Sequence, residues 1–170
     1  PAPTAEGEVV LLMGLQGSGK STLAKEWIAK GYTNLNRDLI GKDLKGIARL
    51  ADEKLRAGER KLVLDNTYVT RTARSEILDV AAKHGVAARG IWIDVPLHEA
   101  NVNVIWRQLD AHGRLLTPDE LKRGRDDRPQ AQRGGEGGAI GKDDNTYLPP
   151  LALMRMMKQL EVPTSAEGFT

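Results

Sequence analysis

The sequence predicts an α/β domain, a parallel sheet with helices on both faces. Three observations predict it. Short apolar runs alternate with stretches of helical periodicity from Glu8 to Ala111. The first run, Val9-Val10-Leu11-Leu12-Met13, is apolar without interruption, as a strand buried on both faces requires. Residues Gly14 to Thr22 then read Gly-Leu-Gln-Gly-Ser-Gly-Lys-Ser-Thr, a complete G-x-x-x-x-G-K-[ST] pattern between that run and a helix.

The elements follow in order. Glu8 to Met13 is the first strand. Ser21 to Lys30 is a helix closed by Gly31, a residue free to adopt the left-handed C′ conformation. Tyr32 to Leu35 is a short second strand. Asp43 to Ala57 is helical, with Leu44, Ile47, Ala48, Leu50, Ala51 and Leu55 on one side. Lys61 to Leu64 is a third strand. Thr70 caps a helix that runs to His84 and ends at Gly85. Ala88 to Ile93 is a fourth strand, and Leu97 to Ala111 a helix that stops near Gly113. Thr117-Pro118-Asp119-Glu120 is a capping-box start with proline at the first helical position. Lys122 to Arg128 is densely charged and Arg133 to Gly141 glycine-rich. This irregular stretch, about 113–150, stands where a small kinase keeps its lid. The last helix, Leu151 to Leu160, has apolar residues on most sides and is expected to pack into the core. Trp92, Trp106, Met154, Met156 and Met157 are read as core residues.

Composition bounds the rest. A chain of 170 residues makes one domain with room for a sizeable core. Charged residues are 28% and hydrophobic residues 40%, as in soluble domains. There is no cysteine, which excludes disulfides and thiolate metal sites. No signal peptide or membrane span is visible, so a cytoplasmic location is expected, or a nuclear one in a eukaryote, with no membrane partner. The net charge of +2 tolerates a polyanionic partner without demanding one. With 4% aromatics, a base-stacking platform of the single-strand-binding kind is not expected. The chain begins Pro-Ala-Pro-Thr, without methionine, and reads as a piece of a longer protein that could carry other catalytic domains.

The glycine-rich loop carries the chemistry. Its glycines reach backbone angles closed to other residues, so that successive N–H groups turn inward around phosphates. The helix that follows adds its positive end. Gly14, Gln16, Gly17, Ser18, Gly19, Lys20, Ser21 and Thr22 are therefore the expected holders of ATP or another nucleoside triphosphate. Lys20 is expected on the β- and γ-phosphates and Ser21 on Mg²⁺. In a parallel sheet, ligands sit beyond the carboxyl ends of the strands. The segments Gly14 to Gly19, Asn36 to Asp38, Asp65 to Thr67 and Asp94 to Pro96 should gather there. Asp65, after an apolar strand, suits support of Mg²⁺ in the Walker B manner, in preference to the alternative of a strand-end turn residue. Asp38 could take a proton from an attacking hydroxyl or merely cap the next segment. Asp94 is read as a turn residue. Arg107, Arg114, Arg123, Arg125 and Arg128 flank the expected lid, and one of them is expected to close over the triphosphate. His84, His98 and His112 form no ligand spacing; His84 stands at a helix end, where a cation is favoured.

Taken together, several segments resemble one family. They are the phosphate loop, Gly31-Tyr32-Thr33-Asn34-Leu35-Asn36-Arg37-Asp38, Leu64-Asp65-Asn66-Thr67 and Ile93-Asp94-Val95-Pro96. Lys158-Gln159-Leu160-Glu161-Val162-Pro163-Thr164 and Ala166-Glu167-Gly168-Phe169 complete the set. In this order they resemble the 5′-hydroxyl polynucleotide kinases, both the phage-type enzyme and the kinase half of the eukaryotic polynucleotide kinase/phosphatase. The resemblance implies an adenylate-kinase-like P-loop NTPase sheet with a lid. It implies ATP and Mg²⁺, and a nucleic acid 5′-hydroxyl end, DNA or RNA, as substrate. It makes Asp38 the catalytic base and Lys20 and Ser21 the nucleotide and metal contacts. It makes Asp65 the acid behind the loop. Two features depart from the family. It usually carries two arginines four apart on the helix feeding the lid, where this chain has only Arg107, with Arg114 a shifted substitute. Its acceptor-side arginine shortly after Asp38 is absent, and Gly41-Lys42 stands there. The alternatives are a P-loop kinase of a small hydroxyl compound and a nucleotide-binding module without transfer.

Overall fold

The computed structural model describes residues 6–121 and 150–170. Four parallel strands form one sheet in the order β2-β3-β1-β4. They are β1 (Glu8–Met13), β2 (Thr33–Asn34), β3 (Lys61–Asp65) and β4 (Ala87–Trp92). β1 pairs on one side with β3, Val9 opposite Leu62, and on the other with β4, Val9 opposite Ala88. The helices are α1 (Lys20–Ala29), α2 (Arg37–Ile40), α3 (Leu44–Arg56), α4 (Arg71–Lys83), α5 (Leu97–His112) and α6 (Pro150–Gln159). This is the α/β fold that the alternating pattern predicts, with all three pairings parallel.

The unbroken apolar run of β1 serves two cores because successive strand residues point to opposite faces. Val9, Leu11 and Met13 join Leu62 and Leu64 beneath α3 and α4, whose Ile47, Ala51, Leu55, Ile77 and Ala81 fill that layer. Val10 and Leu12 face the other way, with Val63, Ala24 of α1 and the rim of Trp27 and Tyr32. A third cluster, Leu15, Ala100, Val104 and Leu153, joins α5 and α6 at the sheet's upper edge.

The helix starts are local chemistry. Asp43 caps α3 by accepting from the Gly46 N–H at 2.7 Å, and Thr70 caps α4 by accepting from Ala73 at 3.2 Å. Asp52 of α3 binds Lys83 and His84 at the end of α4, at 2.8 and 2.7 Å. Hydrogen bonds, Lys83 first and then His84, hold its carboxyl down at about 2.

The structure differs from the sequence reading in four places. β2 is only two residues long. α2, a single turn, was not expected; Asn36 caps it by accepting from the Asp38 and Leu39 N–H groups at 2.8 and 3.2 Å. Trp106 is not core but 65% exposed, while Trp92 packs against the main core as expected. α6 buries one side only: Leu153 is fully buried and Met156 packs beside it, yet Leu151, Met154 and Met157 are exposed. The capping box at Thr117 forms as predicted, Thr117 N–H donating to Glu120 at 2.8 Å. The charged Lys122 to Arg128 and glycine-rich Arg133 to Gly141 stretches lie outside the described residues. No helix among the described residues is long and apolar enough to cross a membrane.

The segment after α6 is clamped to α4 by a buried ion pair. The Arg74 fork donates to both Glu167 oxygens, Nε at 2.6 Å and Nη2 at 2.8 Å, and Nη1 reaches the Tyr68 carbonyl at 3.1 Å. The two side chains are 0% and 2% exposed. The Arg74 bonds hold the Glu167 carboxyl below its usual range, with the Thr164 N–H assisting. Breaking such a pair strands a charge in the interior, whereas replacing both members by apolar groups need not. Glu167→Met and Arg74→Met should each lower urea-unfolding stability by about 3 kcal/mol. Arg74→Met combined with Glu167→Met should cost less than either; full additivity would contradict a coupled pair. Glu167 and Asp52 are both depressed in the folded state, so their support is complete above the ordinary carboxylate range. It is lost as pH falls through the depressed values, and acid unfolding of Glu167→Gln should lack the Glu167 share of that loss.

Candidate active site

The glycine-rich loop leaves the carboxyl end of β1 and enters α1. It can do so only with small residues. Gly14 and Gly17 have φ of +143° and +83°. A Cβ on Gly14 would stand 2.7 Å from the Ile93 carbonyl, and one on Gly17 would stand 2.4 Å from the Ala100 carbonyl of α5. Asn103 of α5 fastens the same loop by donating to the Gly17 carbonyl at 2.8 Å. No side chain caps the first turn of α1 and no acid lies in it. Its N–H groups and positive dipole end therefore face the loop without a competing anion.

Lys20 is 7% exposed. Its ammonium donates to the Gly14 and Leu15 carbonyls at 3.0 and 2.6 Å and lies 3.5 Å from Ser18 Oγ. Burial brings its pKa down to about 8; the Asp65 charge opposes this, Arg107 adds to it and Asp38 opposes it. The group thus remains mainly an ammonium at neutral pH, in a place where its charge is costly without an anion.

A polar cavity opens beside this lysine. Its lining comes from three strand ends and one helix: Gln16, Gly17, Gly19 to Ser21, Asn36 to Asp38, Asp65 to Thr67, and Arg107 of α5. The order of the sheet explains the meeting, because β2, β3 and β1 are neighbours whose carboxyl ends share an edge. Asn36 joins the parts: its Oδ1 caps α2 and its Nδ2 donates to Asp65 Oδ2 at 3.1 Å. Asn66 accepts from the Arg37 N–H at 2.8 Å and donates to the Leu35 carbonyl at 2.9 Å. Next to it Tyr68 is fully buried with φ of +38°, an uncommon angle for a bulky residue, so the loop after β3 is held under strain.

Of the residues singled out from sequence, Gln16, Gly17, Gly19, Lys20, Ser21, Asp38, Asp65 and Arg107 line the cavity. Asp38 does not cap α2; it lies in its first turn, 33% exposed, with Oδ1 3.4 Å from Arg37 Nε. Arg114 is not among the lining residues. Its guanidinium is exposed and engaged by Glu120, at 3.0 and 2.5 Å. Asp94 and Pro96 do not line it either, and Pro96 instead precedes α5. Asn36, Arg37, Asn66 and Thr67, which the sequence reading brought to this edge with their segments but gave no role of their own, line it as well. Asn36 carried a detectable signal, being an Asn at a helix N-cap position.

The cavity's chemistry fits the groups the loop implies. A triphosphate would lie on the loop amides, the α1 terminus and Lys20. Ser21 and Asp65 supply hard oxygen ligands, the kind Mg²⁺ takes beside phosphate and water. Among the described residues no three His, Cys, Asp or Glu side chains could hold a metal by themselves.

The AAA domain family matches residues 9–163 of the chain. No curated protein matches it. Among solved structures, an engineered protein, a target of the Northeast Structural Genomics Consortium, is similar with a TM-score of 0.44 and 19% identity, over 68% of this chain and 90% of that one. The Mycobacterium tuberculosis APS kinase CysC, in complex with AMPPNP and APS, is similar with a TM-score of 0.47 and 17% identity, over 93% of this chain and 99% of that one.

The loop makes a graded prediction. Gly17→Ala meets both a positive φ and the Ala100 carbonyl, whereas a Cβ on Gly19 meets nothing within 4 Å. Gly19→Ala should cost about 1 kcal/mol in stability and Gly17→Ala about 2–3 kcal/mol. Calorimetric titration with AMPPNP should show Gly17→Ala binding at least tenfold more weakly than Gly19→Ala.

Proposed function

The chain belongs to the AAA domain family, and we propose that it is a P-loop kinase moving the γ-phosphoryl group of ATP, with Mg²⁺, to the 5′-hydroxyl of a polynucleotide. One observation carries the reading: Asp38 shares a single cavity with Lys20, and its charge is felt at that ammonium. A carboxylate on the far side of the sheet could not serve an alcohol attacking the γ-phosphorus.

The residues divide the work by chemistry. The loop amides and Lys20 hold the β- and γ-phosphates. Asp38 takes the proton as the acceptor oxygen forms its bond to the γ-phosphorus, while the bond from that phosphorus to the bridging oxygen breaks and ADP leaves. Arg37, fixed through its backbone by Asn66, flanks Asp38 and adds a cation on the acceptor side. Arg107 faces the transferring group from α5, where its fork meets oxygens that gain charge. Mg²⁺, when bound at Ser21 and Asp65, neutralises phosphate charge. The polynucleotide acceptor is supported by the Asn36-Arg37-Asp38, Asp65-Asn66-Thr67 and Pro163-Thr164…Glu167-Gly168-Phe169 set.

Labelled ATP and an oligonucleotide with a 5′-hydroxyl provide the test. Transfer of label to the oligonucleotide is expected. Asp38→Asn should lower kcat by at least a thousandfold and leave AMPPNP affinity within about threefold. Label passing only to small polyols or nucleosides would replace the acceptor, and retained kcat in Asp38→Asn would remove Asp38 as the base.

A further inference from the structure

Most polar side chains lining the cavity are already partnered: Lys20 to the loop, Asn36 to Asp65, Asn66 to the Leu35 carbonyl and Arg37 to Asp38. Two buried atoms of lining residues have no hydrogen-bond partner among the described residues, Gln16 Oε1 and Arg107 Nη1. A buried polar atom left unpaired is costly, so each of these specifies what a ligand must bring. Arg107 Nη1 donates and calls for a phosphate oxygen. Gln16 Oε1 can only accept. The oxygens of an ionised triphosphate also only accept, so the phosphates of the donor leave Gln16 unpaired. A hydroxyl on the other substrate would supply the missing donor.

The attacking 5′-hydroxyl has one hydrogen, which goes to Asp38. At a polynucleotide 5′ end the 3′-oxygen is esterified. The remaining sugar hydroxyl is the ribose 2′-OH, present in RNA and absent from DNA, and independent of base sequence. We propose that Gln16 Oε1 accepts a hydrogen bond from the 2′-hydroxyl of the 5′-terminal nucleotide and makes this kinase select RNA ends over DNA ends. The inference rests on the polynucleotide reading above and sharpens it to one acceptor class. Gln16 is a specificity residue in this scheme, working through its side chain while its backbone belongs to the phosphate loop.

The test compares kcat/KM on 5′-hydroxyl RNA and DNA oligomers of one sequence, with the full chain and saturating Mg²⁺-ATP. RNA should be favoured about tenfold, the discrimination carried by one hydrogen bond. RNA with a single 2′-deoxy sugar at its 5′ terminus should behave as DNA. Gln16→Met, which has no carboxamide oxygen, should bring the ratio close to one, and Gln16→Glu, which keeps an acceptor oxygen there, should retain it. A ratio within one enzyme does not register a general loss of folding or nucleotide affinity. A wild-type ratio near one, or a preference that survives Gln16→Met, overturns the inference and leaves the polynucleotide kinase standing. Transfer to neither oligomer, with AMPPNP still bound, overturns both.

Discussion

The structure depends on the seating of one loop. Between β1 and α1 the chain must turn in about six residues while passing the Ile93 carbonyl beyond β4 on one side and the Ala100 carbonyl of α5 on the other. A side chain at either Gly14 or Gly17 has nowhere to go. This close fit does more than shape an anion cradle. It locks α5 to the sheet edge, and α5 brings Arg107 to the cavity that the loop opens. Asn103, one helical turn before Arg107, spends its carboxamide on the Gly17 carbonyl. The loop and the α5 backbone that carries Arg107 are therefore held against one another by the Gly17–Ala100 approach and the Asn103 bond.

What the sequence made legible follows from what is local. The loop is a spacing of glycines and a lysine, the strands β1 and β3 are unbroken apolar runs, and α3 and α4 announce themselves through periodicity, with Thr70 capping α4. The convergence of Asp38 and Asp65 on the loop could be anticipated from strand order alone, because parallel strands put their carboxyl ends on one edge. Arg74 and Glu167 were not legible. They are 93 residues apart, each looks like an ordinary charged residue, and only the assembled fold removes both from water. The Pro-Thr…Glu-Gly-Phe segment that contributed to the family resemblance turns out to be partly architectural: Glu167 clamps α4 and Phe169 packs against the core under it. Trp106, Met154 and Met157 failed for the opposite reason. Their size and apolarity suggested burial, but large apolar side chains are common at surfaces, and neither composition nor period says which face of α5 or α6 finds a neighbour.

The cavity's charges explain why its polar groups are arranged as they are. Lys20, Arg37 and Arg107 meet Asp38 and Asp65, an excess of one cation in a space where charge is poorly solvated. Desolvation outweighs the two carboxylates at Lys20, since its pKa falls despite them. An ammonium in that state gains more from a phosphate than a solvated lysine would, because the anion relieves a cost already incurred in folding. Asp65 is kept from collapsing onto the lysine: Lys20 bonds to the loop carbonyls while Asn36 takes Asp65 Oδ2. The carboxylate therefore keeps its remaining lone pairs turned away from the lysine, as the proposed metal role requires.

Asn36 then has a larger part than its size suggests. One carboxamide caps α2 and restrains Asp65, so the position of Asp38 relative to the loop is fixed by two bonds from a single side chain. Aspartate would cap the helix equally well but could not donate to Asp65; serine would cap it but could not span to Asp65. Only a side chain with an acceptor and a donor in one short plane satisfies both ends. The same reasoning separates Arg37 from the arginines of the expected lid. Its peptide is pinned by Asn66 and its guanidinium lies beside Asp38, so its charge stands at the cavity. Arg114 is committed to Glu120 at the start of the next helical turn, whereas Arg107, among the described residues, lines the cavity.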